Sequence, residues 1–159
     1  MQKSRVLICD DSASTRLFIQ SLLEPGYHCV AVSSGEEALA ASTSFLPDLV
    51  ITDLVMEGID GLQLCTRLRA SPPTAEVPII LLTSQTGSDA RAQGLEQGAD
   101  DYLFKPVRKR ELIARASSLL RLRHAKAALL ARTHQLEVVN RELIELRNAA
   151  VQSAKLVAL

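Results

Sequence analysis

Polar side chains stand at the ends of four short apolar runs in this chain. Asp10 and Asp11 follow the first run, and Asp53, Thr83 and Lys105 follow the other three. Short apolar runs separated by helical patterns predict buried parallel strands, and open α/β sheets bind ligands beyond the carboxyl ends of their strands. We therefore expect three carboxylates, a hydroxyl and an ammonium group to converge at one edge of a sheet.

The charges of these groups indicate what the site does. Carboxylates at close range repel one another unless a hard divalent cation takes their oxygens as ligands, and Mg²⁺ suits such a site best. With the metal bound, one carboxylate can attack a phosphoryl group while the ammonium and hydroxyl groups neutralise charge on the transferring oxygens. The pattern predicts a phosphoacceptor site that forms an aspartyl phosphate.

A regular alternation of strand and helix patterns positions these residues. The apolar runs predict strands at 5–9, 27–32, 49–53, 79–82 and 101–104. The intervening segments predict helices at 14–24, 34–42, 60–69 and 88–98, with N-caps at Ser34, Asp60 and either Ser88 or Asp89. Five β-α units in this order predict an α/β fold, a flavodoxin-like, doubly wound, five-stranded parallel sheet with helices on both faces and right-handed crossovers.

The chain after Pro106 has a different character. It contains neither proline nor glycine up to Leu159, which predicts one helix of about 50 residues. A heptad pattern of leucines runs along it, with mostly apolar residues three positions later and interruptions at Arg132 and Ser153. The heptad residues are Leu122, Leu129, Leu136 and Leu143, followed by Ala125, Val139 and Leu146. With leucine at position a, the pattern predicts a parallel coiled-coil homodimer.

A second register of this coil stays open. If the leucines occupy d, the a positions are Leu119, Lys126, Thr133, Asn140, Arg147 and Ala154, and Asn140 sets the register. We favour leucine at a, because the other register has fewer apolar partners. A helix folded back on its own domain is disfavoured, because the stripe continues past any surface that a small domain offers. We therefore predict a domain at 1–120 and a coiled-coil linker at 121–159, which extends the last helix of that domain.

Composition agrees with a packed domain and a helical extension. The chain has 159 residues, of which 47% are hydrophobic. No apolar stretch approaches the ~20 residues that span a bilayer, and the short apolar run after the charged start predicts no signal peptide. We therefore expect a cytoplasmic protein without membrane contact. Cys9, Cys29 and Cys65 are scattered without ligand-like spacing, which predicts reduced core residues.

Charge is distributed unevenly along the chain. Residues 1–106 contain 7 Lys+Arg and 14 Asp+Glu, net −7, whereas residues 107–159 contain 11 and 4, net +7. The basic half lacks aromatic stacking residues, a helix-turn-helix pattern and zinc-finger spacing. We interpret it as a solvated helix face and do not expect nucleic-acid binding.

Four motifs appear in order along the first part of the chain. They are the pair Asp10-Asp11, the run 53–61, the pair Thr83-Ser84 and the run 98–106. Together they closely resemble the receiver domain of two-component response regulators, over roughly residues 4–120. The resemblance implies Mg²⁺ as cofactor and a histidine kinase or a phosphotransfer protein as partner.

The resemblance also implies a role for each matching residue. Asp53 is the phosphoacceptor, Asp11 binds Mg²⁺ directly, Asp10 binds it mostly through water, and Val55 binds it through the backbone carbonyl. Two further side chains hold the phosphoryl oxygens, Thr83 and Lys105.

Other positions of the resemblance concern switching and phosphoryl lifetime. Thr83 and Tyr102 belong to the switch linked to phosphorylation, and the bond before Pro106 is expected to be cis. Val55 and Gln85 stand where the family tunes dephosphorylation. Glu57 departs from the family, which usually has a proline there.

A weaker resemblance covers the end of the chain. Residues 143–159 are similar to the helix that enters the dimerisation and phosphotransfer domain of many sensor histidine kinases. We therefore expect a signal relayed through a dimeric helix to an output domain absent from this chain, a histidine kinase; the alternative is a diguanylate cyclase or another dimeric output. A haloacid-dehalogenase-type phosphatase would need a second aspartate where Val55 stands, so enzymatic turnover is not expected.

Overall fold

The computed structural model describes residues 2–84 and 88–158. Within them, strands and helices alternate along the chain. The elements are β1 (Arg5–Cys9), α1 (Ala13–Leu23), β2 (His28–Val32), α2 (Gly35–Phe45), β3 (Leu49–Asp53), α3 (Gly61–Ala70), β4 (Ile79–Thr83), α4 (Ser88–Glu96), β5 (Asp101–Phe104) and α5 (Lys109–Val157).

The strands form one parallel sheet in the order β2-β1-β3-β4-β5. Its register aligns the carboxyl ends of neighbouring strands, since Cys9 pairs with Thr52, Asp53 with Leu82, and Thr83 with Phe104. The predicted flavodoxin-like α/β fold with a long C-terminal helix is confirmed.

Alternate strand residues face two separate aliphatic cores, as period-2 side-chain alternation requires. On one face, Leu7 and Val50 pack with α2 and α3, whose buried residues include Leu64. On the other face, Ile8 and Ile51 pack with α1 and the beginning of α5. Because both faces are covered, β3 and β4 are buried along their whole length.

Several helix ends differ from the sequence expectation. α2 continues to Phe45, beyond the expected end at residue 42, and Phe45 packs against the core. Leu46 then caps the helix in the left-handed conformation, at φ 49°. Ser88 and Asp89, the expected N-caps, both lie inside α4.

The chain divides into two compact units, Met1–Arg121 and Leu122–Leu159. The first contains the sheet and its helices, including the buried residues of α5. In the second, the large apolar side chains are exposed; the heptad leucines Leu122, Leu129, Leu136 and Leu143 are 67%, 65%, 61% and 58% accessible. The domain boundary expected at residue 120 stays a prediction. Among the described residues, no helix has the length and apolar character that crossing a bilayer requires.

Candidate functional site

The sheet brings the predicted site residues to one edge. Asp10 and Asp11 follow β1, Asp53 and Thr83 end β3 and β4, and Lys105 follows β5. The backbone N–H of Lys105 donates to the Thr83 carbonyl at 2.8 Å, which extends the pairing of β4 and β5 to the lysine. The four strands β1, β3, β4 and β5 are contiguous in the sheet, so the site spans one continuous edge of it.

The three carboxylates form a cluster. Asp10, Asp11 and Asp53 each offer a carboxylate oxygen, and these oxygens lie within 4.8 Å of one another. Lys105 Nζ is 3.1 Å from Asp10 Oδ2 and 3.0 Å from Asp53 Oδ2. Asp10 is fully buried and Asp53 nearly so, whereas Asp11 is exposed. One ammonium group therefore faces three carboxylates.

The pKa values reflect this excess of negative charge. Burial raises the pKa of Asp53, the bond and charge of Lys105 oppose the rise, and the Asp10 charge adds to it. For Lys105, burial favours the neutral amine, but the bonds to Asp53 and Asp10 outweigh it and raise the pKa. Burial is thus the main cause of the rise at Asp53, to which the Asp10 charge adds, whereas the two carboxylates that contact Lys105 stabilise its cation.

The donor set fits Mg²⁺. Carboxylate oxygens are the hard ligands that this ion prefers, and they converge at the solvent-facing end of the sheet, where water can complete its coordination. A dipositive ion would also cancel the two negative charges that Lys105 leaves unneutralised. The structure thus contains a chemically suitable pocket for the predicted cofactor.

The loop after Asp53 is held close to the strand ends. Leu54 N–H donates to the Leu82 carbonyl at 2.8 Å, and Gly61 N–H donates to the Leu54 carbonyl at 2.9 Å. A Cβ at Gly61 would collide with the Asp53 carbonyl, so the helix start requires glycine there. Val55, the expected backbone ligand, lies in this loop with its N–H 3.4 Å from Asp53 Oδ1. Glu57 is exposed.

The two expected switch residues border one cavity. Thr83 is buried at the end of β4, and Tyr102 lies on β5, paired with Leu81. Both line a small cavity beneath α4, and the Tyr102 ring makes an edge contact with Phe104 at a centroid distance of 5.4 Å. The Lys105–Pro106 bond is cis. Gln85, expected to tune dephosphorylation, lies outside the described residues.

Two contacts around Asp10 did not follow from the sequence. Arg16 Nη1 donates to the Asp10 carbonyl at 2.7 Å, and Ser12 N–H donates to Asp10 Oδ1 at 2.8 Å. Ser12 also caps α1, two residues before the expected start. The signal for Ser12 was present, because serine after paired aspartates is a favoured N-cap. The sequence does not indicate the contact of Arg16, because its acceptor is a backbone carbonyl, which every residue type has.

With the geometry established, comparison with known proteins identifies the family. Residues 6–117 match the response regulator receiver domain. The chain belongs to this family, and the resemblance to receiver domains is confirmed. Members work in two-component signalling with histidine kinases or phosphotransfer proteins, and receiver domains bind Mg²⁺ at an acidic pocket.

Curated relatives share the receiver part of the chain. The chain is 41% identical over 117 residues to PhoB, the phosphate regulon transcriptional regulatory protein of Pseudomonas aeruginosa, covering 73% of this chain and 51% of PhoB. It is 34% identical over 119 residues to histidine kinase P4 of Formosa agariphila, covering 75% of this chain and 9% of the kinase. The chain therefore spans about half the length of PhoB and a small fraction of the kinase.

Solved structures agree with the fold. A response regulator structure from Chloroflexus aurantiacus matches at a TM-score of 0.73 and 39% identity, covering 76% of this chain and 99% of that one. The receiver domain of a sensor histidine kinase from Pseudomonas aeruginosa matches at a TM-score of 0.69 and 26% identity, covering 74% and 98%. A magnesium ion is coordinated in the active-site cleft of that second structure.

Proposed function

We propose that this chain is the phosphoacceptor part of a two-component phosphorelay in the cytoplasm, and that Asp53 accepts the phosphoryl group. The observation that carries the proposal is the acidic cluster at the carboxyl edge of the sheet, facing the single ammonium of Lys105. The donor is a phosphohistidine of a kinase or phosphotransfer protein, or a small phosphodonor.

In the proposed reaction, a carboxylate oxygen of Asp53 bonds to phosphorus as the bond from phosphorus to the donor atom breaks. Lys105 already contacts Asp53 Oδ2, so its ammonium group is placed to neutralise charge on the incoming phosphoryl oxygens. The Thr83 hydroxyl, at the end of the neighbouring strand, would donate to another of these oxygens. Both side chains thereby stabilise the acyl phosphate and the transition state that forms it.

The proposed metal ligands are the three clustered carboxylates and one backbone carbonyl. They are Asp10, acting mostly through water, and Asp11, Asp53 and Val55. Bound Mg²⁺ would offset the charge of the attacking and transferring oxygens. Because Asp10 is buried and already bonded to Ser12 N–H and Lys105, its carboxylate is fixed before any ion arrives.

Incorporation of phosphate tests the assignment. Treatment with acetyl phosphate and Mg²⁺ should add one phosphoryl group to the protein, detected by mass spectrometry, and Asp53→Asn should abolish the addition. Asp60→Asn is the matched control, because Asp60 is the half-buried N-cap of α3 and asparagine also caps helices. Undiminished labelling of Asp53→Asn would show that another residue is the acceptor.

We further propose that phosphorylation acts on a switch formed by Thr83 and Tyr102. Both side chains border the cavity under α4, so withdrawal of the Thr83 hydroxyl toward a phosphoryl oxygen would leave space that the Tyr102 ring can enter. Such a switch requires two arrangements that phosphorylation stabilises to different extents.

The helical extension is proposed to pair two copies of the chain in parallel. Its heptad leucines are about two-thirds exposed, and an apolar stripe of this length is covered when two such helices form a coiled coil. The parallel orientation places both output domains at the same end. We propose a histidine kinase as output, supported by the similarity of the receiver to part of histidine kinase P4; the alternative is a diguanylate cyclase or another dimeric domain.

An enzymatic phosphatase is the less favoured function. Hydrolases that use an aspartyl phosphate place a general acid near the nucleophile, whereas Val55 occupies the second position after Asp53. Receiver relatives are signalling proteins, which agrees with phosphoryl acceptance without enzymatic turnover.

Light scattering tests the dimer. The full chain should be dimeric, and a chain ending at Arg121 should be monomeric. Leu129→Asn with Leu136→Asn should dissociate the dimer while Asp53 is still labelled. Leu130→Asn with Ile144→Asn is the matched control, because these residues are also exposed but lie off the seam in the favoured register. A full chain that stays monomeric at high micromolar concentration would contradict the coiled coil.

A further inference from the structure

The loop that carries Val55 rests on the first turn of α2. The backbone N–H of buried Ile59 donates to Glu36 Oε1 at 3.2 Å, a contact between residues 23 apart in sequence. The approach is close. A Cβ at Gly35 would lie 2.6 Å from the Ile59 carbonyl oxygen, and a Cβ at Gly58 would lie 2.7 Å from Glu36 Oε1. Gly35 is therefore needed for the loop and the helix to touch, and Gly58 leaves room for the Glu36 carboxylate.

Buried Met56 and Ile59 anchor the loop in the core, and the Met56 sulfur lies 3.6 Å from the Cys9 thiol. Gly58 adopts φ +73°, a conformation that glycine takes readily and other residues rarely do. Glu57 stands where receiver domains usually have proline, and glutamate does not fix φ as proline does. Its side chain is exposed. The bond from Ile59 to Glu36 adds a backbone restraint directly after these two residues.

We infer that Glu36 is a positioning residue for the metal-binding loop, acting through its hydrogen bond to Ile59. The bond limits the conformations of residues 54–60 and so keeps the backbone of Val55 beside Asp53. The inference rests on the proposed function, because Val55 matters only if its carbonyl binds Mg²⁺. Without the bond, metal binding must order a looser loop, and affinity falls by the free energy of that ordering.

Three variants separate the hydrogen bond from the charge. Glu36→Ala removes both, whereas Glu36→Gln removes the charge and keeps an oxygen acceptor. Glu37→Ala removes the same charge one residue away; the Glu37 carboxylate accepts from Ser33 N–H at 3.0 Å, on the residue before the N-cap of α2. Both positions are exposed, so the fold should survive each change.

Two measurements on the full chain do not depend on phosphorylation. Hydrogen exchange of the Ile59 amide, followed by NMR, should accelerate about fivefold in Glu36→Ala, since a net hydrogen bond of about 1 kcal/mol corresponds to that factor. The dissociation constant for Mg²⁺, measured by calorimetry, should rise by about the same factor. Glu36→Gln should stay near the parent in both measurements. Glu37→Ala shows how much of any remaining difference comes from the lost charge alone.

Labelling of Asp53 by acetyl phosphate supplies the third measurement. In Glu36→Ala the rate should fall more at limiting than at saturating Mg²⁺, because the loop acts through metal affinity. If Glu36→Ala matches the parent in Ile59 exchange and Mg²⁺ affinity, or if Glu36→Gln is as impaired as Glu36→Ala, the positioning role is wrong, although the parent would still label. A parent that neither binds Mg²⁺ nor labels would refute the proposed function itself, and this inference with it.

Discussion

The contacts of Arg69 predict a large contribution of this side chain to the stability of the receiver. From the last turn of α3, Nη1 donates to the Val77 carbonyl at 2.6 Å and to the Ala75 carbonyl at 3.1 Å, and Nε donates to the Gly98 carbonyl at 3.0 Å. Nη2 pairs with Asp100 Oδ2 at 2.7 Å. One guanidinium group thus joins α3, the segment before β4 and the turn before β5.

The magnitude follows from these contacts. Arg69→Met keeps the apolar stem and removes every donor, and each hydrogen bond contributes about 1 kcal/mol. The Arg69 side chain is 24% exposed and that of Asp100 is 40% exposed, so the ion pair between them contributes little to stability. Water can also replace some of the hydrogen bonds that the variant loses. We expect the free energy of unfolding to fall by about 2–3 kcal/mol and Tm to fall by roughly 10 °C.

Tyrosine fluorescence provides the assay. The chain has two tyrosines and no tryptophan, and both tyrosines lie in the first unit, so urea unfolding of the full chain reports on the receiver alone. Arg67→Met is the matched control, since Arg67 lies on the same helix with an exposed side chain and should change stability by less than about 0.5 kcal/mol.

Labelling of Asp53 at a temperature where both proteins are folded should be unaffected by Arg69→Met. Arg69 binds near the amino ends of β4 and β5, and the acidic cluster lies at the carboxyl ends. If Arg69→Met lowers the free energy of unfolding by less than about 1 kcal/mol, or if Arg67→Met lowers it equally, the reasoning is wrong.

Three further predictions concern the metal, the thiols and the coil. Asp11→Asn should raise Tm by a few degrees without metal, because it relieves repulsion between the carboxylates. Mg²⁺ at about 100 times its Kd should stabilise the parent by roughly 2.7 kcal/mol, and the variant should lose most of this stabilisation. Equal stabilisation of both proteins by Mg²⁺ would exclude Asp11 as a ligand. Burial raises the pKa of Cys9 and of Cys65 to about 12 and that of Cys29 to about 11, from 9.0. The folded state therefore favours the thiol, so stability should be complete below pH about 9 and decline as pH rises toward 11–12, and iodoacetamide should modify Cys29 first. With leucine at a, Glu142 at g faces Arg147 at e of the second copy of the chain. Glu142→Arg should therefore weaken the dimer several-fold, and the added change Arg147→Glu should restore it. If charge reversal at Arg132 and Glu137 has this effect instead, leucine occupies d.

Parts of the structure that depend on local pattern were predictable from the sequence. β1, β3 and β5 have the predicted bounds, because short, continuous apolar runs are long enough for a strand and too short for a helix. The grouping of Asp10, Asp53, Thr83 and Lys105 followed from topology, since a parallel sheet places the carboxyl ends of its strands at one edge.

Other parts depend on contacts that leave no local pattern. α2 continues past Ser42 because the Ser42 hydroxyl bonds back to the Leu39 carbonyl and Phe45 packs against the His28 ring, 5.5 Å away between centroids. Leu46 ends that helix with a positive φ where a glycine would have been the signal. Arg69 and Glu36 join segments 29 and 23 residues apart, and their partners there, the Gly98 carbonyl and the Ile59 N–H, are backbone groups that carry no sequence information.

The site also explains why so much of the receiver is devoted to an aliphatic core. Three carboxylates held around one lysine destabilise the folded chain when no cation is bound, since burial of Asp53 and the charge of Asp10 both disfavour the Asp53 anion. The fold holds the two buried carboxylates close together, because Asp10 directly follows β1 and Asp53 ends β3, two paired strands that pack against both cores. Because the carboxylates stay close together, a divalent ion relieves their repulsion when it binds. A core mutation that loosens β1 or β3 should therefore weaken metal binding even where no ligand is changed.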